Sequence, residues 1–335
     1  MHRKVLLVAA GIMMLQTSGT FAADTIKVAS FVSPKSMGVS RVIKPWMAGV
    51  KADIDGKVAL KGYWGGSLGK SPVKQYELVK NGVADLAWIL PGYTSGQFPE
   101  MQITELPFLV NTALEASLVI QRLHDAGFKT GLGQVKLIGA WASAPNLLFL
   151  RKPVKTISDL KNMKIRNAGA VGGYWLGQIG AVPQTMSAPK MTIALNRKTI
   201  DGGQQGWTGM RTFKAMGLVT HVMDLPLGAI PFFLGMNKKK WDGLPADVKA
   251  AFLKHGSERI ARNGGAAYGD ATLNIIKSNA QAKKLTIVKP SGAAFVKLVK
   301  DAKVNVHKWW INKTKNGQAV YDKAVEIITD VRKNG

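Results

Sequence analysis

The sequence predicts an α/β protein built on a doubly wound parallel sheet, and three observations carry that prediction. Short apolar or alternating runs are followed by segments with apolar residues at helical spacing, in the order strand, helix, strand, helix, strand. The same grammar restarts in the middle of the chain. The length of 335 residues fits two domains of ordinary size, and a hydrophobic content of 46% allows each a packed core.

The elements follow in order. "TIKVAS" (25–30) alternates as a first strand, and "SMGVSRVIKPWMAGVKADIDG" is a helix that ends in a turn at Asp55 and Gly56. "KVALKGYWGG" is a second strand. "SPVKQYELVKNG" reads as a helix with Ser71 at the N-cap, Pro72 at its first position and Gly82 as the stop. "VADLAWIL" is a buried strand. In the second set, "QVKLIGAWA" (134–142) and "NLLFLR" are strands, and "TISDLKNM" is a short helix capped by Thr156 or Ser158. "KIRN" is a strand, "VGGYWLGQIGA" a helix and "VPQTM" a strand. "APKMTIALNRKTID" is a helix, and "GGQQGW" reads as a turn out of it. Residues 245–284 are mostly helical, with Gly264, Gly265 and Gly269 allowing a bend, and "SGAAFVKLVKDAKVNVHKWWINKT" adds amphipathic helix.

Composition excludes several kinds of chemistry. There is no cysteine, so disulfides, thiolate zinc sites and cysteine nucleophiles are ruled out. The histidines are scattered with no pair at ligand spacing, no phosphate-binding glycine loop opens a helix, and no cofactor is expected. "GGSLG" around Ser67 fits a nucleophile-elbow pattern, with His221 or His255 as partners, but the strand-turn-helix setting is missing. His2, Arg3 and Lys4, then an apolar run, then small residues to Ala22 and Ala23 have the order of a secretory signal peptide, residues 1–23, cleaved near Ala22 or Ala23. The net charge of +26 is spread along the chain. Together with export it points to small anions, with no nucleic-acid partner.

One position stands out. Arg166 ends the short "KIRN" strand, and glycines follow at 169, 172 and 173. Ligands of open α/β sheets sit beyond the carboxyl ends of strands. A guanidinium offers a flat, permanently charged fork that matches a carboxylate, and the next helix aims its N-terminus at the same place.

Four stretches in this order resemble the solute-binding subunits of TRAP transporters: "GYWGGSLGKSPVKQYELVKNGVADLAW", "FPEMQITELPFLVNTALEA", "DLKNMKIRN" and "IGAVPQTMSAPKMTIALNRKTIDG". The resemblance covers nearly the whole chain after residue 23. It implies a periplasmic-binding-protein type of fold, two α/β domains with a hinge and a cleft and a long helix spanning both. The implied division is 24–143 with 231–272, and 144–230 with 273–335. It implies closure over an organic acid, delivery to TRAP membrane permease subunits, and no enzymatic activity. Arg166 sits at the family's carboxylate-binding arginine, Gln205 at a ligand-facing position, and Trp207 at a tryptophan common there. Near Asn146 some members carry a second arginine that is missing here. Lys190 and Thr192 stand where a glutamate and a tyrosine are common, which argues against sialic-acid and simple dicarboxylate ligands. Phe31, Trp64, Pro91 and Tyr93 follow the first three strands and are further wall candidates. One arginine points to one carboxylate, and aromatic walls to an aromatic or branched monocarboxylate. Two other functions fit the sequence: a receptor that feeds a membrane sensor kinase, and a secreted hydrolase using Ser67. The long helix is expected to bend near Gly264 and Gly265.

Overall fold

The computed structural model describes residues 24–281 and 284–334; the expected leader, residues 1–23, lies outside them. The first sheet runs β2 (Val58–Tyr63), β1 (Asp24–Ala29), β3 (Leu86–Ile89), β10 (Pro231–Asn237), β4 (Val135–Ala142). The second runs β11 (Thr286–Val288), β9 (His221–Met223), β5 (Leu147–Leu150), β8 (Gly202–Gln205), β6 (Lys164–Asn167), β7 (Val182–Thr185). Each sheet anchors one lobe. The sheets are parallel except for one strand each, β10 in the first and β5 in the second.

The two exceptions follow from connectivity. The carboxyl edges of both sheets face the same cleft. A chain leaving one sheet by that edge enters the other by the same edge, so its first strand there must run backwards. β4 passes directly into β5 in this way, and β9 returns through residues 224–230 into β10. A third crossing is helical. Ser257–Ala267 packs on β4 and on the helix Ala113–Asp125 of the first lobe, and Asp270–Gln281 packs on the helix Trp207–Thr212 of the second.

That helix breaks at Tyr268 and Gly269, beyond the expected bend. Gly264 lies against Trp141, and a side chain at Gly265 would come within 2.8 Å of Leu114, so both permit close packing. Three other expectations are corrected. The helix placed at Ser71 begins at Gln75, because Lys74 donates its backbone N–H to the Ser71 carbonyl and the Gln75 amide donates to that carbonyl at 2.8 Å, closing a separate turn. The segment read as a turn, "GGQQ", is the buried central strand β8, paired with β5 and β6. The last helix, Gly317–Asn334, packs against Ala113–Asp125 of the first lobe, so residues 273–335 do not all stay with the second. Its apolar stripe, including Val320, Ala324 and Ile328, supplies that contact.

The other expected elements form. Thr156 heads the turn Ile157–Leu160 in a capping box, and Asp159 accepts from the Thr156 backbone N–H at 2.8 Å. β3 is buried on both faces, as a central strand covered by helices must be. Trp46 anchors one such helix: its ring meets Phe252 edge-on at 5.1 Å, and its indole N–H donates to the Phe252 carbonyl.

Candidate functional site

The carboxyl edges of the two sheets enclose a cavity of about 60 Å³. Arg166 comes from the end of β6 and is 1% exposed. Its Nε donates to the Met186 carbonyl at 2.8 Å and its Nη1 to the Gln204 carbonyl at 2.9 Å. Those bonds fix the plane of the guanidinium against the cavity wall. Nη2 has no hydrogen bond among the described residues, which leaves part of the fork for an incoming acceptor. Arg166 is the only charged side chain among the described residues that line the cavity. Burial pulls its pKa down, opposed by the Tyr93 hydroxyl and the Glu105 carboxyl.

Of the other expected wall residues, Phe31, Tyr93 and Gln205 line the cavity. Four do not. Trp64 lies over Gly62 at the flank of the first sheet. Pro91 is buried at the start of the short helix Pro91–Thr94 and serves to aim Gly92 and Tyr93. Trp207 is buried edge-on against Phe149 at 4.9 Å, beneath the cavity floor. Asn146 is buried beside Gly206 at the first crossing, and its backbone bonds Gly228 and Leu227 across the two crossings. Trp64 and Pro91 were placed by their positions after strands, and Trp207 and Asn146 by the family resemblance, but the directions of their side chains depend on packing.

Several wall residues gave no signal of their own. Trp88 sits inside a strand that reads as core, Phe232 lies in β10, for which the sequence offered no reading, and Phe213 follows the helix Trp207–Thr212. Tyr268 sits at the helix break, its phenol pushed up by burial. With Phe31 and Tyr93 they make six aromatic rings around one buried cation. Ser143, Thr208 and Thr212 add hydroxyls to the wall.

Glu105 lies behind this wall, at the end of the 3-10 helix Glu100–Glu105. It is buried, and its Oε1 has no partner among the described residues. A side chain at Gly92 would approach that oxygen to 2.7 Å, so Glu105 would have to shift to admit one. Burial pushes the carboxyl up to about 8, and the Arg166 charge limits the rise.

Two hydrogen bonds tie the lobes across the cleft. The Ala188 N–H donates to the Tyr93 hydroxyl at 3.0 Å, and the Ala170 N–H donates to Ser95 Oγ at 3.3 Å. Gly169 fits against the Gly92 carbonyl with no space for a side chain. Ser67 is exposed. His221 bonds Thr220 and His255 bonds Asp53, so neither histidine is hydrogen-bonded to that serine.

Two lobes joined by three crossings around a buried cation have the architecture of a solute receptor. The comparisons agree. The family model described as bacterial extracellular solute-binding protein, family 7 (DctP), matches residues 28–313, and the chain belongs to that family, the solute-binding proteins of TRAP transporters. The family is one of substrate-binding receptors, not a class of enzymes. The chain is 26% identical over 334 residues to the outer membrane transporter protein TsaT of Comamonas testosteroni, covering 96% of each. A TRAP solute-binding protein of Rhodoferax ferrireducens, solved with copurified benzoate, superimposes with a TM-score of 0.84 at 26% identity, covering 92% of this chain and 98% of that one. A marine-metagenome TRAP protein specific for aromatic acids, solved with 3-hydroxybenzoate, gives 0.85 at 27% identity, covering 91% and 98%. Among the described residues no helix is long and apolar enough to cross a membrane.

Proposed function

We propose that the chain is a periplasmic receptor that captures an aromatic monocarboxylate and delivers it to TRAP permease subunits. The observation that carries this reading is a single buried guanidinium in a cavity walled by aromatic rings. The cation pairs with the carboxylate, and the rings accept an aromatic body by stacking and edge contacts. A second carboxylate would meet no second cation, so dicarboxylates leave a charge buried and unpaired. The similar Rhodoferax and marine proteins, bound to benzoate and 3-hydroxybenzoate, support the same ligand class. The basic, apolar and small-residue order of residues 1–23 supports export.

Capture proceeds by hinge motion. Benzene fills a cavity of about 150 Å³, more than the ≈ 60 Å³ found between the lobes. An aromatic acid therefore enters an opened cleft and holds it a little wider than the structure shows. Thermal-shift measurements with benzoate, 3-hydroxybenzoate and succinate test the reading. At a ligand concentration of about 100 times Kd the gain is about 2.7 kcal/mol, readable as a raised Tm. The aromatic acids should raise the Tm and succinate should not. A response to succinate alone, or one that Arg166→Lys leaves unchanged, rejects the site as described.

A further inference from the structure

Glu105 is a buried carboxyl for which anion capture as described so far has no use. It lies behind the first-lobe wall of the cleft, with Gly92 and no side chain between it and the cavity, while Arg166 lines the cavity from the second lobe. Arg166 is the charge that acts on it. The 3-10 helix of Glu105 itself brings Glu100, a second buried carboxyl that burial also pushes up, and the charges on the elements packed against it are largely engaged elsewhere, Arg122 with Glu258 and Asp330 among them. β10 has no titratable residue. Pro91–Thr94 brings Tyr93, whose hydroxyl is engaged by Ala188. Ala170–Gln178 brings Tyr174, stacked on Trp309 at 4.2 Å. Glu115 of Ala113–Asp125 and Arg332 of the last helix are paired with each other at 3.0 Å. Tyr321 of the last helix is bonded to His307, and Lys323 and Glu326 are paired with each other.

We propose that Glu105 is a proton site linked to the anion site: its ionised form balances Arg166 in the empty cleft, and it must carry a proton whenever a carboxylate occupies the guanidinium. This rests on Arg166 being the carboxylate anchor. The physical reason is charge balance. One buried cation offsets one buried anion, and a second anion in the same dry space has nothing to pair with. When the ligand's carboxylate takes the guanidinium, Arg166 no longer holds the Glu105 charge, so a Glu105 that is ionised in the empty cleft takes a proton from solvent and one already protonated keeps it. No covalent bond to the ligand forms or breaks.

The sign follows from linkage. The bound state holds the Glu105 proton more tightly than the empty state, so raising the pH through the empty-state value opposes binding. With that value at about 8, benzoate should bind about tenfold more weakly at pH 9 than at pH 7.

The test uses the full chain with benzoate, in calorimetry at both pH values and in two buffers of different ionisation enthalpy. Wild type should lose affinity toward alkaline pH and show buffer-dependent heat at the higher pH. Glu105→Gln keeps the shape of the side chain without its charge, and should show neither effect. A flat wild-type profile, or a slope that persists in Glu105→Gln, overturns the proposal. A second arm needs no ligand: carbon-13 glutamate NMR of the empty protein. One carboxyl should titrate in the mildly alkaline range, vanish in Glu105→Gln and move further up in Arg166→Gln. The absence of such a signal overturns the proton site even where benzoate binds. If benzoate does not bind, the carboxylate-anchor reading falls, while this titration still decides whether Glu105 is a proton site coupled to Arg166.

Discussion

Arg166 is held by two backbone carbonyls, so changing it removes more than a ligand contact. Arg166→Ala would leave the Met186 and Gln204 carbonyls short of donors and lower stability as well as affinity. Arg166→Lys is the cleaner probe, since it keeps the charge and loses the fork. It should weaken benzoate binding by about 1.5–3 kcal/mol, the net worth of a charge-assisted bond, measured by calorimetry, and an unchanged Kd would remove Arg166 from the site. Glu105 makes its own prediction for stability. Its carboxyl is neutral to a higher pH in the folded protein than in the unfolded chain. The folded state thus binds more protons between the ordinary carboxylate range and about pH 8, and stability falls as pH rises through that window. The ceiling is about 1.4 kcal/mol per pH unit. Glu105→Gln should escape this loss, so its Tm should gain on wild type from pH 5 to pH 8. Melting curves with a constant gap would contradict that. The two residues also differ in legibility. Arg166 could be picked from sequence because it ends a strand before glycines. Glu105 could not, because a glutamate in an apolar stretch shows no pairing, and only the fold reveals that it is buried beside a cation.

Elements were legible where period and punctuation agreed. "KIRN" is a strand in the structure over the residues expected, Lys164–Asn167. Thr156 heads its short helix, and Gly82 stops the helix before it with a positive φ. β8 was not legible, because glycine and glutamine are poor strand formers and only pairing on both sides makes "GGQQ" a strand. The antiparallel strands were equally hidden. β5 and β10 run backwards because of where the chain crosses, and no local pattern records that. The second crossing has a strict local requirement. Gly228 has φ +80°, and a side chain there would run into the Glu105 backbone. Gly228→Ala carries the cost of a left-handed non-glycine residue, about 1–3 kcal/mol, with the collision added to it. Urea unfolding should show a lower midpoint at unchanged slope. A midpoint equal to wild type would mean that the crossing yields freely.

At the scale of the whole molecule, the proposed capture rests on a balance between open and closed lobes. Direct contacts between the lobes at the cleft include the Ser95 and Tyr93 hydroxyls, each accepting one backbone N–H from the second lobe, the seat of Gly169 on Gly92, and the packing of Ala170–Gln178 on Glu100–Glu105. A ligand that bridges Arg166 and the aromatic wall adds contacts present only when the lobes meet, and so shifts the population toward closure. Blocking the seat should weaken binding without touching the ligand. A side chain at Gly169 would come within 2.5 Å of the Gly92 carbonyl and 2.8 Å of Ser95 Oγ. Gly169→Val should therefore keep the lobes apart while each folds normally, since the obstruction lies between them. If the binding-competent fraction falls to a tenth, apparent Kd rises about tenfold. Small-angle scattering separates this from a damaged site. Wild type should contract when benzoate is added. Gly169→Val should keep the larger radius, with the Tm of its empty form close to wild type. If the variant contracts and binds like wild type, the Gly92–Gly169 contact does not govern closure. Control would then pass to the three crossings, where Asn146, Gly228 and the Tyr268–Gly269 break hold the lobes in register.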